Sequence, residues 1–154
     1  MNRAETQGRC RGTDNRVVLR STPSAPEVHA RVMTLPEEYL VRRFNDHWVV
    51  LGPTGLFLVG KGEGQPDLAA ARTAVTAHRL RNRLAEVVEF VPFIDPVVVT
   101  SDSESGHPCA MVELDLLEGL LTSGPEVIPE GELQLLRHHL PAVITEIEVD
   151  GGLD

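Results

Sequence analysis

The chain has 154 residues, of which 42% are hydrophobic, enough for one domain with a real core and short for two. No apolar run reaches the length of a membrane span, and the polar start over Met1–Asn15 is unlike a signal peptide, so the expected compartment is the cytoplasm and no membrane partner is expected. The formal charge of −9 repels wholesale binding along a nucleic acid backbone, so any DNA contact has to be local.

Residues 1–24 read as a disordered arm: they are polar, carry Gly8, Gly12 and Pro23, and lack sustained periodicity, although Val17-Val18-Leu19 can form an edge strand. Within residues 1–20, five arginines stand against Glu5 and Asp14, a net of +3. Pro26 suits the first turn of a helix over 26–34, with Ser24 as its cap and Val28, Val32 and Leu35 at helical spacing. Tyr39–Phe44 reads as a strand. Trp48–Leu51 and Leu56–Val59 are near-continuous apolar runs that fit central strands buried on both faces. Gly52-Pro53-Thr54-Gly55 between them is a turn, so the two strands pair antiparallel.

After the loop "GKGEGQPD", Asp67 can cap a helix over 68–85, with Thr73, Ala77, Leu80 and Leu84 on one side and Arg72, Arg79 and Arg83 on a second stripe. That stripe is either a solvated face or a ridge directed at phosphates. Val87–Val91 and Pro96–Thr100 read as strands, Ser101–Pro108 as a polar loop and Cys109–Leu114 as a short strand. With only Cys10 and Cys109, the chain has neither a disulfide framework nor a zinc-ligand set. Asp115 can cap a helix through Leu121, and Glu130–Leu140 forms a helix with Leu133, Leu136 and Leu140 on one face. The residues after Ile144 read as a frayed acidic tail, giving a 25–144 domain with a 145–154 tail. Residues 101–154 hold twelve acids against Arg137, a net of −11 that can engage a basic protein partner. The predicted order α-β-β-β-α-β-β-β-α-α describes an α/β domain with a mixed central sheet flanked by helices.

The run "DHWVVLGPTGLFLVGKG" resembles the core hairpin of the nuclease-related (NERD) domain family, which reads approximately "DHVVVGPTGVFVIETK" there. "PVVVTSD", "VELDLLEGLL" and "PEVHARVMTLPEEYLV" resemble further segments of that family in the same order, so the likeness spans about residues 26–144. The resemblance implies a restriction-endonuclease-like fold of the PD-(D/E)xK group. In that group an Asp at one strand start and an acid on the next hold Mg²⁺, and a Lys two positions on activates water or stabilises phosphorane charge.

Carried over by position, Asp46 matches the first acid, Gly60 falls where the second acid stands and Gly62 where the Lys stands. Lys61 is one position out of register, and one step along a strand reverses the face. Three functional readings follow. The first is a catalytically degenerate nuclease-related domain with a nucleic-acid-associated or protein-interaction role, using Arg72, Arg79 and Arg83 toward DNA. The second is an active Mg²⁺-dependent nuclease with a rearranged site, in which Asp46, Lys61 and Glu63 act and Glu27, Asp46 and Glu63 hold the metal. The third is an oligomerising interaction module. Asp46 can equally cap the hairpin start, and His47 reads as an edge side chain.

Overall fold

A computed structural model describes residues 23–62, 66–100 and 110–151. The expectations for the arm to residue 22, for Glu63, and for Cys109 and the loop before it lie outside the described residues. The first helix, α1 (Ala25–Val32), starts where the sequence places it: Ser24 Oγ accepts from the Glu27 backbone N–H, and Glu27 Oε1 accepts from the Ser24 N–H at 2.8 Å. This reciprocal capping box, with Pro26 in the first turn, satisfies donors that the helix itself cannot.

Three strands follow as an antiparallel meander: β1 (Leu40–Phe44), β2 (His47–Gly52) and β3 (Gly55–Lys61). The glycine-rich turn closes tightly, with Gly52 opposite Gly55 and only Pro53 and Thr54 between. Helix α2 (Pro66–Leu84) then carries the chain over the sheet to β4 (Ile94–Val99), parallel to β3, and β5 (Ala110–Val112) adds in parallel at the edge. Helices α3 (Leu114–Thr122) and α4 (Glu130–Gly151) complete an α/β fold whose mixed sheet runs β1-β2-β3-β4-β5.

Strand alternation sorts the core into two layers. Val49, Leu51, Leu56, Leu58 and Ile94 face α2 and α4, where Leu80, Leu84, Leu136, Leu140 and Ile147 close over them. Trp48, Val50, Phe57, Val59, Val97 and Val99 face α1 and α3, against Val28, Val32, Leu117 and Leu121. Both central strands of the hairpin are buried on each side, as their unbroken apolar runs require.

Four expectations need correction. Val87–Val91 is not a strand: the N–H groups of Ala85, Glu86, Val87 and Val88 bond carbonyls of the last turn of α2 and so are spent before a ladder can form. Asp67 lies inside the first turn of α2 rather than capping it. Asp115 lies in the first turn of α3, whose N-cap is Glu113, a residue that makes no capping hydrogen bond with its side chain. Finally, α4 does not stop at Leu140. It continues through Pro141, because Val143, Ile144 and Ile147 extend the apolar stripe and bury it.

Strand β4 also starts earlier than the sequence suggests and contains Pro96. Val99 bonds toward β3 and Thr100 toward β5, so alternation aims the Pro96 nitrogen at the β5 side. Pairing with β5 begins only at Val97, and the missing N–H costs no ladder bond there. No described helix is long and apolar enough to cross a membrane.

Candidate functional site

The hairpin singled out by the sequence does position a polar cluster, though not the one its acids suggest. Asn45 and Asp46 form the two-residue link between β1 and β2, with Asn45 at φ 55, a left-handed conformation that Asn tolerates. The link is held by Arg43 Nε donating to the Asn45 carbonyl at 3.0 Å and by the Asn45 N–H donating to Glu148 Oε2 of α4 at 3.2 Å. His47, the next residue, is only 5% exposed and turns toward α2.

Its ring is bonded at both nitrogens. Nδ1 lies 3.0 Å from Asp46 Oδ1, and Nε2 lies 3.1 Å from Thr73 Oγ1 on α2. Burial holds the imidazole below its ordinary pKa, against the pull of the Asp46 carboxylate and with the Arg72 charge acting in the same direction as burial. A neutral ring has one donor and one acceptor, so the carboxylate fixes the proton on Nδ1 and Nε2 accepts from the Thr73 hydroxyl. Hydroxyl, imidazole and carboxylate are in the order of a nucleophilic triad. Thr73 is 1% exposed, however, so its oxygen meets no substrate and the chain of bonds is closed on itself.

What this network covers is Gly60. A Cβ there would collide with Thr73 Oγ1 and come within 3.2 Å of the His47 ring. At Gly62 a Cβ would press on Thr100 Cβ and Val98 Cγ1, each at 3.1 Å. The two positions at which the nuclease resemblance places an acid and a lysine are therefore packed as glycine. The sequence reasoning missed the pairing of His47 with Thr73. Its signal was present: a glycine inside a buried strand leaves a slot that a neighbouring side chain has to fill.

The remaining predicted residues separate. Lys61 shares the parity of Val59 and so belongs to the α1 side of the sheet, opposite the His47 ring. Glu27 is engaged in capping α1 on that same side, and its bonds to Ser24 hold its carboxyl below the usual range. Asp46 instead bonds a ring on the α2 side, so Glu27 and Asp46 are not gathered, and Glu63 lies outside the described residues. Among the described residues no three His, Cys, Asp or Glu side chains assemble to hold a metal. The described donors do not fit Mg²⁺, which takes oxygen ligands in a near-ideal octahedron.

Asp46, Arg72 and Arg79 do converge. They line a cleft of about 810 Å³ between the β1–β2 link and the outward side of α2. Its floor is apolar: Phe44 from the sheet, and Leu68, Ala71 and Val75 from the helix. Arg83 is outside it, tied to Glu146 Oε1 of α4 at 3.0 Å and flanked by Glu86. The predicted arginine stripe is thus divided, with two members at the cleft and one at the α2–α4 contact.

Comparison with protein-family models, with curated proteins and with solved structures finds no match.

Proposed function

We propose that this chain is a non-cleaving, nuclease-related domain that acts by binding, and that its scaffold is restriction-endonuclease-like, as the hairpin resemblance implies. The observation that supports the reading is the packing at Gly60 and Gly62. Thr73, His47, Val98 and Thr100 occupy the space that an acid and a lysine would need. The buried His47–Thr73 bond beside Gly60 supports the reading, because among the described residues it puts an uncharged pair where the resemblance implies a metal-binding acid.

The cleft beside Asp46 supplies what a recognition surface needs: an apolar floor and guanidinium groups at its rim. Leu68 and Val75 are 54% and 61% exposed, which favours a protein partner over a phosphate backbone. Nucleic acid is the second reading, favoured by the presence of both Arg72 and Arg79 at the cleft.

The test is incubation of the full chain with supercoiled plasmid in Mg²⁺ or Mn²⁺. The expected result is no nicking above a protein-free blank, with Asp46→Ala indistinguishable from the parent. Nicking by the parent that disappears in Asp46→Ala would overturn the proposal in favour of a live nuclease.

A further inference from the structure

A second cavity, of about 420 Å³, opens on the other face of the sheet, the face that carries α1 and α3. Strand alternation lays its floor. Phe57 of β3 stands opposite Asp95 of β4, and Val97 follows on the same side. Its wall comes from the end of α3 and the linker to α4, through Leu120 and Val127. That wall is pinned to the hairpin turn. The Val127 and Ile128 N–H groups donate to the Pro53 carbonyl at 2.9 and 3.2 Å, and the Thr54 hydroxyl donates to the Leu121 carbonyl at 2.6 Å. The hollow is therefore built into the fold. Phe93 at its rim is 70% exposed, an aromatic ring for which the core has no use.

The chemistry of the lining has one sign. Among the described residues that line the cavity, Asp95 alone is charged. Its carboxyl has no hydrogen-bond or ion-pair partner among the described residues, and the surrounding walls shield it from water enough to raise its pKa above the ordinary value. The cavity also lies at the C-terminal end of α3, where a helix concentrates partial negative charge, and the last turn of α3 holds no basic residue to offset it. From Ala110 to Pro129 the sequence carries four acids and no Lys, Arg or His. The Thr54 hydroxyl, the other polar group facing this space, is already engaged by Leu121 and Tyr39. A phosphate or carboxylate would meet repulsion here, and a sugar would find few partners for its hydroxyls.

We infer that this cavity binds a small organic cation with an apolar body, an aryl- or alkylammonium, whose charge pairs with Asp95 and whose body lies against Phe57, Phe93 and Leu120. Aromatic rings and a carboxylate are complementary to the two ends of such a molecule. The site is separate from the cleft beside Asp46 and does not depend on the binding role proposed there.

The experiment titrates the isotope-labelled full chain with phenethylammonium and follows its amide NMR signals. Phenethyl alcohol and hydrocinnamate serve as comparisons, keeping the ring and replacing the ammonium by a hydroxyl or a carboxylate. The expected result is saturable shifts centred on Phe57, Asp95, Val97 and Leu120. The ammonium binds about fivefold or more tighter than the alcohol, and hydrocinnamate binds weakest. Asp95→Asn removes the charge from a side chain with no partner to lose, and it brings ammonium and alcohol to equal affinity. Phe93→Ala weakens both. Each variant keeps the circular dichroism spectrum and melting curve of the parent.

Equal affinity of the parent for ammonium and alcohol overturns the inference, because the hollow then selects only for apolar surface. Tighter binding of hydrocinnamate overturns it by reversing the sign. Ammonium binding undiminished by Asp95→Asn places the cation elsewhere and overturns it too. A short peptide with arginine beside leucine that shifts these signals when phenethylammonium does not assigns the cavity to a protein side chain instead. Plasmid nicking bears on the non-cleaving reading and leaves this site untouched.

Discussion

Thr73 on α2 and His47 on β2 meet at 3.1 Å directly over Gly60, and that one contact joins the helix to the hairpin. The contact is buried and satisfied at both ends, so removing either partner strands a polar atom away from water.

Thr73→Ala leaves His47 Nε2 without its donor and is expected to destabilise the fold by roughly 1–3 kcal/mol. Gly60→Ala forces a methyl group against Thr73 Oγ1 and is expected to cost a similar ~1–3 kcal/mol. The two are coupled: in the Thr73→Ala background the obstructing oxygen is gone and Gly60→Ala costs less. Urea denaturation of the four proteins gives the cycle, and strict additivity would refute the collision.

The buried imidazole makes stability depend on pH in a definite direction. Its folded pKa lies below the ordinary value of 6.5, so the unfolded chain takes up the proton first on acidification. The contribution of neutral His47 is fully present above pH 6.5 and is lost as pH falls through 6.5 toward the lower folded value. The urea midpoint of the parent is therefore expected to drop between pH 7.5 and 5.5 more than that of His47→Gln, the range being chosen about the reference His pKa of roughly 6.5. Parallel midpoints over that range would remove the assignment.

Ser24→Ala deletes half of the capping box and is expected to lower stability by about 1 kcal/mol. Glu27→Gln weakens the other half. Because the Glu27 carboxyl is held below its ordinary value, its contribution is present above pH 4.5 and declines as pH falls through the folded pKa. Thermal melts at pH 7 and pH 3.5 should show a smaller Glu27→Gln deficit at the latter, these pH values lying on either side of the ordinary Glu pKa of about 4.3. A deficit that is undiminished or larger at pH 3.5, below that ordinary pKa of about 4.3, would mean that the residue acts through something other than its charge.

Ile147 is 2% exposed within the core formed by α2, α4 and the sheet. Ile147→Ala is expected to cost about 2–4 kcal/mol, the range of large-to-small changes in a packed core. A change below ~0.5 kcal/mol, typical of a surface position, would restore the reading of a frayed tail.

Much of this architecture is written locally. The start of α1 follows from Ser24, Pro26 and Glu27, and the hairpin from two apolar runs around Gly52-Pro53-Thr54-Gly55. What local patterns obscure is competition for the same backbone groups and the same space. Val87 and Val88 have the side chains of a strand, yet their N–H groups close the end of α2. Pro141 looks like a stop, yet the burial of Val143, Ile144 and Ile147 outweighs its missing donor. His47, Gly60 and Thr73 are far apart in sequence and become one unit only when α2 is laid over β3. Glu27 was equally ambiguous, since the Ser-x-x-Glu spacing of a cap and an acid near a metal present the same residue.

Pro96 has a consequence for how the molecule behaves in a crowded solution. Edges of β-structure invite a neighbouring chain to extend them, and the Pro96 nitrogen, aimed to the β5 side just before the β4–β5 pairing begins, has no proton to offer an incoming carbonyl. Pro96 thus sets a point on β4 at which no further strand can be held by a full set of backbone bonds.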